Sequence, residues 1–153
     1  MPLYHFTDPR NIPSIRENGL LSWQQLKIRG ITHFPASNDL SRNLDAAKNL
    51  QNYVRLCLQQ QHPMATMALF EGRIGNLVWL VIDDAVLQLQ TTLFSNRNAA
   101  ANAAIINRDP HTALGSNDQQ AEVLVAESIE PRWIIFPSES QKNTNALYDD
   151  VPF

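Results

Sequence analysis

Apolar and polar positions along the chain predict short, alternating elements separated by frequent breakers. Leu3–Thr7 is aromatic-rich and strand-like. A helix is expected over 9–18: Thr7 or Asp8 caps it, Pro9 suits its first turn, and Gly19 suits its C-terminal end. Ile12 and Ile15 give it a buried side, and Pro13 is placed to shift or kink its start. Residues 30–52 are polar and irregular, with Pro35, Ser37, Asn38, Asp39 and Ser41, then a short helix near 44–50. A strand is read at 53–58. A helix is capped at His62-Pro63-Met64 and stopped by Gly72. The continuous apolar run 77–82 has the length of a central strand. Further strands are expected at 86–90, 92–94, 121–125 and 133–136, a short helix at 99–106 and a loop at 107–119. Strands dominate the second half, so the pattern reads as an α+β domain with a largely antiparallel or mixed sheet. One domain is expected over 1–137, followed by a polar tail over 138–153.

Composition narrows the class. With 153 residues, 44% hydrophobic and 18% charged, this is an ordinary globular composition with one modest core. No apolar run is long enough to span a membrane, and Met1-Pro2-Leu3-Tyr4-His5 lacks the pattern of a secretory signal. Cys57 is the sole cysteine, which excludes an internal disulfide and suits a reducing cytoplasm. The four histidines have no metal-binding spacing, so no metal is expected. Residues 1–75 carry eight Lys/Arg against five Asp/Glu, and 76–153 carry four against ten. That excludes a wholly basic nucleic-acid binder and leaves room for a local basic groove.

Four segments carry candidate chemistry. In Tyr4-His5-Phe6-Thr7, strand alternation puts His5 and Thr7 on one face, an imidazole beside a hydroxyl. The plainer account is a locally satisfied histidine and a helix-capping threonine. In Gln120-Ala121-Glu122, Gln120 and Glu122 likewise share a face. The carboxylate is suited to holding a sugar hydroxyl or accepting a proton, or is simply solvated at an edge. Arg42 offers a fixed cation suited to phosphates, or a surface partner for Asp39 or Asp45. In Phe94-Ser95-Asn96-Arg97-Asn98-Ala99, an asparagine caps the following helix or touches a polyanion or base. No GxGxxG and no P-loop pattern occurs, so a nucleotide would be held in some other way.

Taken in order, these segments resemble the DarT family of NAD-dependent ADP-ribosyltransferase toxins. The matching pieces include Leu3-Tyr4-His5-Phe6-Thr7, Asn11-Ile12-Pro13-Ser14-Ile15, Asn18-Gly19-Leu20-Leu21, Ser41-Arg42-Asn43-Leu44-Asp45, Val78-Trp79-Leu80, Phe94-Ser95-Asn96-Arg97-Asn98-Ala99 and Gln120-Ala121-Glu122-Val123. The resemblance implies an ADP-ribosyltransferase fold, a split mixed sheet with NAD as co-substrate in its cleft. It implies transfer of ADP-ribose to a nucleic-acid base, foremost thymidine in single-stranded DNA, and a macrodomain antitoxin as a possible partner. By motif position Arg42 and Glu122 look catalytic. His5, Phe6, Thr7, Ser14, Ser22 and Arg42 look cofactor-binding, while Arg55, Arg97 and Asn98 fall where the nucleic acid would lie. The span 99–119 is shorter than the family's usual insert, and the acidic second half suits a basic protein partner. ADP-ribosylation of RNA or protein is therefore a second reading, and a non-catalytic NAD- or nucleic-acid-binding module a third.

Overall fold

The computed structural model describes residues 1–35, 48–60, 63–72 and 76–137. Arg42, residues 44–47 of the helix expected at 44–50, His62 and the polar tail from Ser138 lie outside the described residues. Strand β1 (Leu3–Thr7) leads through a 3-10 turn (Pro9–Asn11) into α1 (Ile12–Asn18). The Asp8 side chain caps the 3-10 turn by accepting from the Arg10 N–H at 2.8 Å. Gly19 ends α1, the short β2 (Leu20–Leu21) follows, and Ser22 then caps α2 (Trp23–Arg29). Helix α2 went unread in the pattern, although a Ser N-cap and the left-handed Gly30 bracket it.

The later elements are β3 (Tyr53–Cys57), α3 (Pro63–Phe70), β4 (Val78–Ile82), β5 (Leu93–Ser95), β6 (Ile106–Asn107), α4 (Pro110–Leu114), β7 (Glu122–Ala126), β8 (Ser128–Ile129) and β9 (Ile134–Ile135). The strand expected at 86–90 is instead part of a 3-10 turn, Asp84–Gln88, because the Asp83 carboxylate accepts from the Ala85 N–H and turns the chain. The helix expected at 99–106 is a series of turns ending in β6. There the Ala101 and Ala104 N–H groups close tight turns onto the Asn98 and Ala101 carbonyls, and the Lys48 ammonium donates to the carbonyls of Ala99 and Ala101. The expected loop 107–119 contains α4, started by Asp109 and Pro110. The strand expected at 133–136 shortens to β9 behind a 3-10 turn at Pro131–Trp133.

Seven strands form one sheet in the order β6-β5-β7-β3-β1-β4-β9, and β2 pairs with β8 separately. Every strand pairing among the described residues is antiparallel, the first of the two arrangements left open by the pattern. The β1–β4 and β3–β7 ladders each register five residues, but β1 meets β3 at Tyr4↔Cys57 alone. The sheet therefore opens between β1 and β3, a split of the kind the resemblance implies. One face packs the main core, with Leu3, Val54, Leu56, Leu80, Ile82, Val123 and Val125 from the sheet against Ile12 and Ile15 of α1. On the other face Trp79, Tyr4, Phe6 and Cys57 pack with Ala68 of α3. No helix among the described residues is long and apolar enough to cross a membrane.

Candidate active site at the sheet split

Strand parity explains how one cleft collects residues that are distant in sequence. Pairing of Tyr4 with Cys57 puts Tyr4, Phe6, Arg55 and Cys57 on one side of the sheet, with His5 and Thr7 on the other. A continuous sheet would keep His5 and Arg55 apart. The cleft is lined by both, together with Thr7, Cys57 and Glu122, because the strands part there.

The wall from the first half of the chain is tightly tied. His5 Nδ1–H donates to the Arg55 carbonyl at 3.0 Å, a group that the splayed ladder leaves to a side chain. This bond sets the tautomer and leaves Nε2 as an acceptor. The buried Asn11 amide donates to Thr7 Oγ1 (3.0 Å) and to the Phe34 carbonyl (2.9 Å), and its oxygen accepts from the Phe34 N–H (2.9 Å). One side chain thus fastens the segment carrying His33 to the end of β1. His33 lies edge-on to Trp23, with ring centroids 6.1 Å apart. Ser14 and Ser22 line the same cleft. The Ser22 hydroxyl accepts from the Gln25 N–H at 3.1 Å and lies 3.2 Å from Asn52 Oδ1, to which it donates, so it shapes the wall through α2. Leu20, Leu26, Leu50, Val54, Trp23 and Tyr53 supply an apolar and aromatic lining suited to planar rings. Gln51 also lines the cleft, and its side-chain oxygen is buried without a hydrogen-bond partner, a place for a donor from a ligand. Sequence reasoning assigned no role to Gln51 or His33, which sit in no recognisable chemical motif, or to Asn11, although it opens the matching piece Asn11-Ile12-Pro13-Ser14-Ile15.

The opposite wall is a buried ion pair. Glu122 is 4% exposed at the first position of β7. Arg55 Nε donates to Glu122 Oε1 at 3.0 Å and Nη2 to Oε2 at 2.7 Å, and the Ala99 N–H adds a 2.7 Å bond to Oε2. Arg55 Nη2 also donates to Asn98 Oδ1 at 2.7 Å, and the Asn98 amide donates to Gln120 Oε1 at 3.2 Å. Arg55 and Asn98, read from sequence as nucleic-acid contacts, therefore stand within the site beside the carboxylate. Arg97 is exposed on the adjoining turn. Cys57 faces Glu122 across the ladder. Burial, and after it the Glu122 charge, push the Cys57 thiol far up, so it is a neutral core thiol.

Electrostatics keep the histidine side neutral. Burial lowers His5 against the opposing pull of its bond to the Arg55 carbonyl. Burial, then the neighbouring His5, lower His33 to about 4, against the attraction of Asp8. Both folded values lie below the ordinary 6.5, so the unfolded chain binds more protons once the pH falls beneath that value. Stability is expected to hold above about pH 7 and to fall as the pH drops from 6.5 toward 4. Urea midpoints at stepped pH test this. His33→Gln should flatten the slope, and a wild-type midpoint that stays level down to pH 5 refutes the assignment. Asp8 titrates below this window: burial raises it, but hydrogen bonds and charge from Arg10 outweigh that and hold it under 3.8.

The family model described as ssDNA thymidine ADP-ribosyltransferase, DarT, matches residues 4–117. The chain belongs to the DarT family. The match ends before Glu122, so the placement of that residue in one cleft with His5 comes from the fold. No curated protein matches the chain at a meaningful level. Among solved structures, Thermosipho africanus DarTG in complex with ADP-ribose superposes with a TM-score of 0.77 at 22% identity, covering 97% of this chain and 47% of that one. The chain thus spans about half the length of that protein. Thermus sp. 2.9 DarT in complex with ADP-ribosylated ssDNA gives 0.66 at 17% identity, over 91% of this chain and 82% of that one. The same Thermus protein in complex with NAD+ gives 0.65 at 17% identity, over 99% and 91%. The expected DarT fold is therefore present. Among the described residues there is no group of three or more His, Cys, Asp and Glu placed to hold a metal.

Proposed function

We propose that this DarT-family chain transfers ADP-ribose from NAD+ to a thymine base in single-stranded DNA, releasing nicotinamide. The observation that carries the reading is the buried, ion-paired Glu122 lining one cleft with His5 and Thr7 where the sheet splits. In this reaction the bond between nicotinamide and ribose C1′ breaks, and its electron pair neutralises the departing pyridinium. A base nitrogen forms the new bond to C1′ and gives up its proton. Positive charge builds on the ribose between these events. A fixed carboxylate at Glu122 stabilises that charge and accepts a hydrogen bond from a ribose hydroxyl. It is also placed to receive the base proton.

The cleft suits NAD+ in its donor set. His5 Nε2 and the Thr7 hydroxyl are polar anchors for the nicotinamide half beside Phe6, the apolar and aromatic wall takes planar rings, and the Gln51 oxygen takes a donor. Ser14 and Ser22 bound the same space. Arg55, the arginine lining the cleft among the described residues, is engaged with Glu122, so the pyrophosphate clamp is assigned to Arg42, which is also suited to polarising the acceptor base. Exposed Arg97 and the Asn98 turn form the acceptor side, where an unpaired base can approach. The relatives solved with NAD+ and with ADP-ribosylated ssDNA support both substrates. A macrodomain antitoxin and a cytoplasmic setting are part of the same proposal.

The test is incubation of the purified protein with labelled NAD+ and a panel of thymine-containing single-stranded DNA, thymine-free DNA, RNA and protein. Label on thymine-containing DNA alone is the expected result. Label on RNA or protein keeps the chemistry and overturns the acceptor. Tight NAD+ binding with no nicotinamide release overturns the enzyme reading.

A further inference from the structure

A carboxylate this buried needs more than a place on a strand. The β3–β7 ladder pairs Arg55 with Leu124 and Cys57 with Glu122, which makes Arg55 and Glu122 diagonal neighbours on one face. Their side chains are only 17% and 5% exposed. A buried carboxylate needs polar partners for both oxygens, and the guanidinium at this diagonal position supplies them. The arginine fork uses two nitrogens on two oxygens, and this fixes the plane of the carboxylate as well as its charge, which a lysine cannot do.

The bonds also determine what remains available. A carboxylate has about four acceptor positions. Arg55 Nε takes one on Oε1, and Arg55 Nη2 and the Ala99 N–H take those on Oε2. Among the described residues this leaves one position, on Oε1, for a ligand hydroxyl. The same Nη2 reaches Asn98 Oδ1, which also accepts from the Ala100 N–H at 2.9 Å. Arg55 is thus the joint between the carboxylate and the turn that borders the acceptor side.

We infer that Arg55 is a positioning residue for the transfer step: it aims Glu122 and sets the Asn98 turn, and is not a contact to the phosphates of the nucleic acid. The inference rests on the transferase reading proposed above.

The test is steady-state transfer from NAD+ to a thymine-containing single-stranded oligonucleotide by wild type, R55Q, R55K, E122Q and the double variant R55Q/E122Q. For R55Q, kcat is expected to fall about 100-fold, as misaiming of a reacting group by about 1 Å does. KM for both substrates should stay within about threefold. The double variant should be no slower than E122Q, because Arg55 acts through the carboxylate. Guanidinium added to one further variant, R55A, should restore part of the kcat that this variant loses, which a loss of folding would not allow. Should R55Q fail to fold, R55K carries the test: charge without the fork predicts a loss of about tenfold in kcat at unchanged KM.

An R55Q protein with unchanged kcat, a raised oligonucleotide KM and a shallower salt dependence marks a phosphate contact and overturns the inference. Losses that multiply in the double variant also overturn it, and alone, since transfer by the wild type would still stand. A folded wild type that transfers nothing overturns the transferase reading first, and this inference with it.

Discussion

Glu122→Gln is expected to lower ADP-ribose transfer by about 1000-fold or more while NAD+ binding falls far less. The substitution keeps shape and removes charge. It takes away the anion that offsets the positive ribose in the transition state, a contribution realised in the transition state more than in the ground state. It also disturbs the local network. Arg55 Nη2 and the Ala99 N–H both donate to Oε2, so an amide nitrogen there would set donor against donor. An amide turned the other way presents its nitrogen to Arg55 Nε. Either orientation breaks one arm of the fork and leaves a guanidinium without its anion, at about 3 kcal/mol of stability. The assay is therefore run well below the melting temperature of the variant, with nicotinamide release and label transfer measured together. Transfer within about tenfold of the wild type would remove Glu122 from the chemistry.

The second large effect is on folding. Gly19→Ala is expected to destabilise the protein by about 3–5 kcal/mol. Gly19 has φ +83° and ψ −179°, a region that side chains other than glycine do not enter without strain. A Cβ there would also lie inside contact distance of the Ile129 carbonyl oxygen. That carbonyl belongs to β8, which pairs with β2 immediately after Gly19, so neither side can retreat without breaking the pairing. Gly30 is the internal control. Its φ of +64° is also positive, but no neighbouring atom of the described residues lies within 4 Å of an added Cβ, so Gly30→Ala should cost about 1 kcal/mol. Urea unfolding of both variants separates the two contributions. Equal losses would mean that the Ile129 contact does not matter. Gly19 lines the cleft, so the variant should also bind NAD+ more weakly at temperatures where it remains folded.

Local pattern identified much of this molecule. Strand β4 shows as a continuous apolar run because it is covered on both faces, and β1 shows as a short aromatic-rich stretch. The start of α1 shows because Asp8, Pro9 and Gly19 are residues whose own backbone preferences mark helix ends. His5, Thr7 and Glu122 were legible as strand-end polar residues of the right chemistry. Local pattern misled where a distant group decided the outcome. The alanines at 99–104 suit a helix, but Lys48, about fifty positions earlier, holds the carbonyls of Ala99 and Ala101, and Glu122 takes the Ala99 N–H. The apolar positions at 86–90 suit a strand, but the Asp83 carboxylate closes a 3-10 turn first.

By itself the sequence determined the class of fold, the strands that make the centre of the sheet, and which residue types were available for chemistry. Those are consequences of residue preference and hydrophobic period, which act over a few positions. Only the tertiary structure decided that β1 and β3 part after one pairing, so that residues from opposite faces of a sheet meet in one cleft. Only it decided that Arg55 belongs to Glu122, because that bond follows from the register of two strands 67 positions apart. Charge and shape in the sequence say that an arginine will find an anion. Which anion it finds depends on where packing of the whole sheet brings the strands together.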